Sequence, residues 1–406
     1  MQTPASATNR RNLVLLAFSL VVVMLGFGMV IPILPFYIVR LGAGGSAFGL
    51  LVAIAALTEF LFGPVWGSIS DQVGRKPILM IGLFGFGLSL LLFGLSTQLW
   101  MLYVSRALSG VLSSAALSTA MAYIGDSTSE KERSGGMGLL GAAAGAGTII
   151  GPGFGGLLAK GALSTPFFVG AAMALLSLLL VTCLLPESLP RQSRTLAERR
   201  IPSVSFLPLL RAFRSPIGFL LFLAFFATLG TSNFESIYSL YMVAKLNYTT
   251  ERIGLILTVV GVIALVSRGL LTGVFTKRWG EAKVIKASLP AAALGFILLL
   301  QADSFLAVLV STGFFSFAVT FLRPSIHSLT SQRAKIGQGA ALGLSNSCVS
   351  LGRIFGALGA GVLFDLGTGY PYLVGAGILL IGLVFSLAWL TVSPAKDTET
   401  PIVTSR

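Results

Sequence analysis

The chain contains little charge. Charged residues make up only 10% of its 406 residues, whereas soluble domains carry about 25%, so the sequence lacks the polar side chains that would cover a water-exposed surface. Hydrophobic residues account for 55% of the chain, and the mean hydropathy is +0.90. This composition excludes an ordinary soluble protein and indicates one that is surrounded by lipid.

Cysteine and histidine are also scarce. Cys183 and Cys348 both fall within apolar runs, and His327 is the single histidine, so the sequence predicts neither a disulfide framework nor a histidine-rich metal site. A glycine-rich nucleotide loop ending in Lys-Ser or Lys-Thr is absent, as is any nucleophile–base set. The sequence therefore predicts a protein that is not an enzyme and that needs no metal or other cofactor.

Long apolar runs follow one another along the whole chain. A helix of about 20 apolar residues spans the hydrocarbon core, and a spanning segment has to satisfy its own backbone polar groups there. Since the alternating pattern of a membrane β-barrel is absent, we expect spanning helices. Their approximate ranges are 13–39, 47–69, 78–97, 99–125, 135–159, 165–185, 216–243, 252–275, 284–302, 304–330, 338–364 and 370–392.

A basic, proline-containing segment divides these twelve runs six and six. We expect an all-α membrane protein of two pseudo-symmetric six-helix bundles, residues 1–186 and 216–406, joined by a cytoplasmic linker over residues 187–215. Lys and Arg concentrate in cytoplasmic loops, and here they concentrate on the side of the linker and both termini. The opposite side has only Arg40, Lys160, Lys245 and Arg252. Both termini are therefore predicted to be cytoplasmic, and the net charge of +14 reflects this orientation rather than a nucleic-acid partner.

The two halves of the chain repeat each other. Residues 67–74, after the second run, match residues 273–280 after the eighth, and residues 151–156 match residues 356–361. A parallel repeat of this kind is typical of transporters whose halves rock about a substrate site near the middle of the membrane. We therefore expect a transporter with its site between the two bundles.

The loop after the second run carries the most specific motif, Gly-x-x-x-Asp-x-x-Gly-Arg-Lys-Pro over residues 67–77. It resembles the loop signature of the major facilitator superfamily. Asp71 is expected to accept hydrogen bonds at the N-terminus of span eleven, and Arg75 and Lys76 are expected to pair with Asp126. The alternative is that these charges only mark the cytoplasmic face. The predicted gating latch consists of Gly67, Asp71, Gly74, Arg75, Lys76 and Asp126.

The fifth run is rich in glycine around a proline, with Gly147, Gly151, Pro152, Gly155 and Gly156 as its signature residues. Small residues at this spacing permit close helix packing in lipid, which by itself is a sufficient reason for the pattern. Pro152 is expected to bend the helix. The pattern also resembles the glycine–proline signature of the proton-driven exporters in this superfamily, and that resemblance implies export.

Two carboxylates lie well inside the apolar runs, Glu59 in the second and Glu235 in the seventh. An ionised carboxylate is costly there unless it is paired or hydrated, and one that exchanges a proton for a bound cation is what proton coupling requires. The segment around Glu235 resembles span seven of NorA- and Bmr-type multidrug exporters, and Arg106 resembles the family's span-four arginine, which is implicated in proton handling. The alternatives are a structural ion pair with an arginine for each glutamate, and snorkelling to the outer surface for Arg106.

Further candidates for the substrate cavity are Phe234, Tyr238, Tyr241, Arg323 and Arg353. An aromatic cavity favours bulky apolar cations, whereas packing against lipid is the alternative role for most of these aromatics. The alternative role for Arg323 and Arg353 is to balance the charges of the glutamates. The resemblance as a whole implies a monomeric, proton-coupled exporter of small lipophilic or cationic drugs in the cytoplasmic membrane of a prokaryote. Its partners would be a small-molecule substrate, protons and the lipid bilayer. A carrier of one metabolite, sugar or siderophore, and a non-transporting receptor of the same fold, are the alternatives.

Overall fold

A computed structural model describes residues 5–128, 130–189, 212–213, 217–334 and 337–390, and these residues form helices joined by short loops, without a strand among them. Twelve helices in this part of the chain are long and apolar enough to cross a membrane, and each overlaps one of the predicted runs. They are α1 (Ala5–Arg40), α2 (Gly45–Val73), α3 (Arg75–Gly94), α4 (Leu99–Ser127), α5 (Glu130–Leu158), α6 (Thr165–Leu184), α7 (Gly218–Leu246), α8 (Thr250–Trp279), α9 (Glu281–Gln301), α10 (Phe305–Arg333), α11 (Gln338–Leu366) and α12 (Tyr370–Trp389).

The helices pack in two groups of six. In the first group α1 packs on α5 and α6, and α3 packs on α4 and α6; in the second, α7 packs on α11 and α12, and α9 packs on α10 and α12. Between the groups, α2 packs on α11 and α5 packs on α8. These two matching helix pairs agree with the internal repeat. The proposed linker lies outside the described residues, apart from residues 187–189 and 212–213.

Two spans of the second group are interrupted. α8 contains a π-helical turn, Ser267–Leu271, and α10 breaks at Phe321. Pro324 accounts for the second break, because proline has no N–H to donate and its ring clashes with the carbonyl four residues earlier. A π turn inside an α-helix is frequent at functional sites, and interrupted spans are typical of transporter substrate sites.

The two groups touch at one end of the molecule, which we call the outer side because the Lys and Arg distribution predicts that it faces away from the cytoplasm. There, a Cβ added to Gly45 of α2 would lie 2.7 Å from the carbonyl oxygen of Gly361 in α11. At the opposite, inner side, Cβ atoms added to Gly67 and Gly343 would meet no described atom within 4 Å. The halves therefore separate towards the inner side, and a cavity opens there.

Candidate functional site

The central cavity has two adjoining lobes, of about 360 and 710 Å³, which meet at Arg323, Val349 and Arg353. The first lobe is lined mainly by α7, α8, α10 and α11, and the second mainly by α1, α2, α4 and α11. Cavities of about 300–1,000 Å³ suit drug-sized ligands. The cavity therefore lies between the two halves, where the repeat predicted a substrate site.

Both predicted carboxylates reach this cavity, but their environments differ. Glu59 Oε2 lies 3.9 Å from Nη1 of Arg353, so the structure confirms an arginine partner for Glu59, and the pair joins α2 of one half to α11 of the other. Glu235 is exposed in the first lobe and forms no ion pair with any described residue. Of the two predicted carboxylates, Glu235 is thus the one without an arginine partner among the described residues.

Of the three aromatic candidates on α7, one lines the cavity and two are buried in the core. Phe234, Tyr238 and Tyr241 lie at i, i+4 and i+7 of α7 and so share a face, which packs into the second bundle. Phe234 reaches the first lobe, whereas Tyr238 and Tyr241 are each 2% exposed and line neither lobe. The expectation that these two tyrosines line the cavity is not met, because the face that carries them turns into the core. Glu235, one residue after Phe234, points into the cavity instead.

Arg106 lines neither lobe of the cavity. Its Nε atom is shielded from solvent and has no hydrogen-bond partner among the described residues, and its guanidinium carbon is 6.0 Å from the centre of the Phe93 ring. The charge of Glu59 acts on Arg106. The residue as a whole is partly exposed.

The inner latch, as we call the six residues predicted from the loop motif, is centred on Arg75. Its Nη1 lies 2.5 Å from Oδ1 of Asp71, and its Nε donates to Oδ2 of Asp126 at 2.7 Å. Gly74 has a φ of 119° between α2 and α3, a conformation that L side chains rarely adopt. The pairing of Arg75 with Asp126 is confirmed, and it joins the inner ends of α3 and α4.

Two other contacts of the inner latch differ from expectation. Lys76 Nζ donates to the carbonyl of Thr182 at 2.7 Å instead of pairing with Asp126. The side chain of Asp71 is 54% exposed, and its ion pair is with Arg75 rather than with the N-terminus of α11, because the inner ends of the two halves are apart. The N-terminus of α3 has a partner that the sequence did not indicate, the carboxylate of Glu187, which accepts from the N–H of Arg75 at 2.8 Å.

A second carboxylate contact, which we call the outer latch, joins the halves at the opposite side. Asp365, near the end of α11, accepts hydrogen bonds from the backbone N–H groups of Gly45 at 2.6 Å and Ser46 at 2.8 Å, and from the Ser46 hydroxyl. These donors form the first turn of α2, where the helix dipole is positive. Sequence reasoning missed Asp365, because its partners are about 320 residues away. It mirrors Asp71, which lies near the end of α2.

The glycines of α5 allow close contact with two neighbouring helices, α1 and α8. Cβ atoms on Gly147 and Gly151 would each lie 2.7 Å from a backbone carbonyl oxygen of α1, and one on Gly155 would lie 2.6 Å from the Cα of Met29. Gly156 faces α8, where its carbonyl accepts from the Thr250 hydroxyl at 3.2 Å. The pattern therefore permits close packing both within the first bundle and across the outer contact between the halves. α5 continues as a helix through Pro152, which lines the cavity.

Comparison with known proteins agrees with this architecture. The model of the Major Facilitator Superfamily matches residues 16–234 and 220–404. The chain belongs to this superfamily. It is 34% identical to Multidrug resistance protein 2 of Bacillus subtilis, over 93% of this chain and 94% of that protein. It is 30% identical to Quinolone resistance protein NorA of Staphylococcus aureus, over 93% and 96% of the two chains.

Solved structures of the superfamily share the fold. The nucleoside transporter NupG superposes with a TM-score of 0.78 at 15% identity, covering 94% of this chain and 99% of that one. A bacterial homologue of the lysosomal transporter Spinster, in an inward-facing conformation, superposes with a TM-score of 0.76 at 14% identity, covering 97% and 100%. The predicted fold class is therefore confirmed, and the molecule is a multi-pass bacterial membrane protein of a transporter superfamily.

Proposed function

We propose that this member of the superfamily exports small lipophilic or cationic drugs in exchange for protons. The names of its bacterial relatives support drug export, since the likeness extends over 93% of the chain. The observation that carries the proposal is Glu235, a carboxylate in a drug-sized cavity that has no ion-pair partner among the described residues and lies next to the apolar wall formed by Phe234 and Phe315. A carboxylate in that position binds either a proton or a cationic group.

The proposed cycle follows from the competition at Glu235. In the outward-open state Glu235 takes up a proton, and the loss of its charge lowers the cost of closing the cavity around it. Once the cavity opens inward, drug binding displaces the proton. The ion pair of Glu59 with Arg353 connects the halves, and Arg106 adds a positive charge near Glu59, so we include both Glu59 and Arg106 in proton handling.

In this proposal, the two latches alternate: one holds the outer side closed in the inward-open state, and the other holds the inner side closed in the outward-open state. In the present state, which is inward-open on the orientation predicted from the Lys and Arg distribution, Asp365 holds the outer end of α2 and Asp71 is away from α11. In the outward-open state Asp71 caps the N-terminus of α11, and Asp365 releases Gly45 and Ser46. In this proposal the protein works as a monomer with both termini in the cytoplasm, and the proton gradient drives it without a cofactor.

The experiment that tests this function measures ethidium transport in proteoliposomes with an imposed pH gradient. We expect gradient-driven transport by the intact protein and its loss in Glu235→Gln, which keeps the shape of the side chain but cannot release a proton. Asp303→Asn is the control, because Asp303 is 78% exposed and pairs with Lys245 outside the cavity. Absence of transport by the correctly inserted intact protein would refute drug–proton antiport in favour of a narrow-substrate carrier. Persistence of coupling in Glu235→Gln would refute the role of Glu235.

A further inference from the structure

Arginines outnumber carboxylates on the walls of the central cavity. Among the described residues, Arg268, Arg323 and Arg353 line it together with Glu59 and Glu235. Arg353 pairs with Glu59 across the two halves at 3.9 Å. Arg268 and Arg323 form no ion pair with any described residue. On the described walls, these two positive charges therefore stand against one carboxylate without an ion-pair partner, Glu235.

The hydrogen-bonding capacity of these two guanidinium groups is also largely unused. Arg323 Nη2 donates to Oδ1 of Asn346 at 3.4 Å, which is longer than an ordinary hydrogen bond of about 2.7–3.2 Å. Arg268 is exposed in the cavity and donates to no described residue. Because a guanidinium carries five N–H donors, most of the donors of both groups are available to a molecule that enters the cavity.

Each arginine lies at an interruption of its helix. Arg268 belongs to the π turn Ser267–Leu271 of α8, and Arg323 comes two residues after the break of α10 at Phe321. Both side chains line the first lobe of the cavity, together with Glu235. Interrupted spans are costly in lipid and occur where they line a cavity or a binding site. Two independent interruptions therefore present two unpaired arginines to the same lobe.

The rest of that lobe is apolar. Phe234 and Phe315 have ring centroids 4.5 Å apart, and Leu257 and Val260 extend the same wall. We propose that Arg268 and Arg323 form an anion subsite, and that the cavity binds amphiphilic molecules in which a carboxylate meets this subsite and an aromatic body meets the apolar wall. Arginine suits this role because its planar fork matches a carboxylate with two parallel hydrogen bonds.

The subsite deepens the proposed export function and rests on it. A bound carboxylate offsets the positive surplus that has to be enclosed when the inner side closes, since an uncompensated charge is costly to bury. A cationic group on a substrate is accepted by Glu235 instead. The same cavity thus serves drugs of both signs, through different side chains.

The test compares two fluorescent probes that share one aromatic body, dansylglycine with a free carboxylate and dansylglycinamide without it. Binding to the purified full-length protein in detergent is followed by dansyl fluorescence. We expect the acid to bind about tenfold more tightly than the amide, the least that one charge-assisted hydrogen bond contributes. Arg323→Gln and Arg268→Gln should each remove that preference and leave the affinity for the amide unchanged. Arg278→Gln, on α8 but outside the cavity lining, should preserve it.

The outcomes separate this inference from the function on which it rests. Equal binding of the acid and the amide by the intact protein, or an unchanged acid preference in both glutamine variants, would overturn the anion subsite. Arg268→Lys serves if Arg268→Gln fails to fold: it keeps the charge but lacks the fork, so it should weaken acid binding without affecting the amide. Gradient-driven ethidium transport should persist in Arg278→Gln, which lies outside the cavity lining. If the intact protein itself fails to transport ethidium, the proposed function fails, whatever the probes show.

Discussion

Neutralising the outer latch should shift the protein towards its outward-open state. Asp365→Asn keeps the shape of the side chain and one oxygen acceptor, but loses the negative charge that faces the first turn of α2. A charge at a helix N-terminus contributes about 0.3–1 kcal/mol at the surface, and a hydrogen bond to a charged group is about 1 kcal/mol stronger than a neutral one. Asp365 is exposed, and solvent screens its charge. We therefore expect Asp365→Asn to destabilise the inward-open state by about 1 kcal/mol relative to the outward-open state, which changes the ratio of the two populations about fivefold.

The assay measures the distance between spin labels on two outer loops, one in each half. Labels at Ala162→Cys, between α5 and α6, and Thr368→Cys, between α11 and α12, lie in different halves and are both exposed. The background replaces Cys183 and Cys348, which are free thiols. We expect the long-distance population to rise about fivefold relative to the short one in Asp365→Asn.

Asp71→Asn is the matched control for this measurement, because the proposed contact of Asp71 with the N-terminus of α11 belongs to the outward-open state. It should leave the long-distance population unchanged or reduce it. An unchanged ratio of populations in Asp365→Asn would contradict the idea that this carboxylate holds the outer side closed. A rise of the same size in both variants would show that the labels report general destabilisation instead.

Two further predictions concern the stability of the first bundle in detergent. Arg75→Gln should lower the thermal unfolding temperature and reduce the stability by about 1–2 kcal/mol, because it removes a charge-assisted hydrogen bond to Asp126 and an ion pair with the solvent-exposed Asp71; stability equal to that of the intact protein would refute this role for Arg75. Gly151→Ala should also unfold at a lower temperature, since the added Cβ would lie 2.7 Å from a carbonyl oxygen of α1. Gly141→Ala, with no described atom within 4 Å of its Cβ, should be neutral or stabilising by about 1 kcal/mol, and equal effects of the two alanines would contradict the packing argument.

Much of the architecture follows from local sequence. Each span could be predicted because the length and hydrophobicity of one segment decide whether it crosses a membrane. The ion pair of Arg75 with Asp126 was also predictable, since a recognised loop motif places Arg75 at the inner end of α3 and the alternation of spans places Asp126 at the inner end of α4. The orientation of the termini stays a prediction from the distribution of Lys and Arg.

The tertiary structure decided which side chains meet. The hydropathy of α7 does not reveal that Glu235 faces the cavity while Tyr238 and Tyr241 face the core, because the rotation of an apolar helix about its axis depends on the helices that surround it. The contact of Asp365 with Gly45 depends on which end of the molecule is closed. Sequence by itself therefore determined the spans, through the free energy of placing each segment in lipid. Only the packing of distant spans determined the cavity charges and the outer latch, because lipid solvates every apolar face equally well and leaves the choice of neighbours to side-chain contacts.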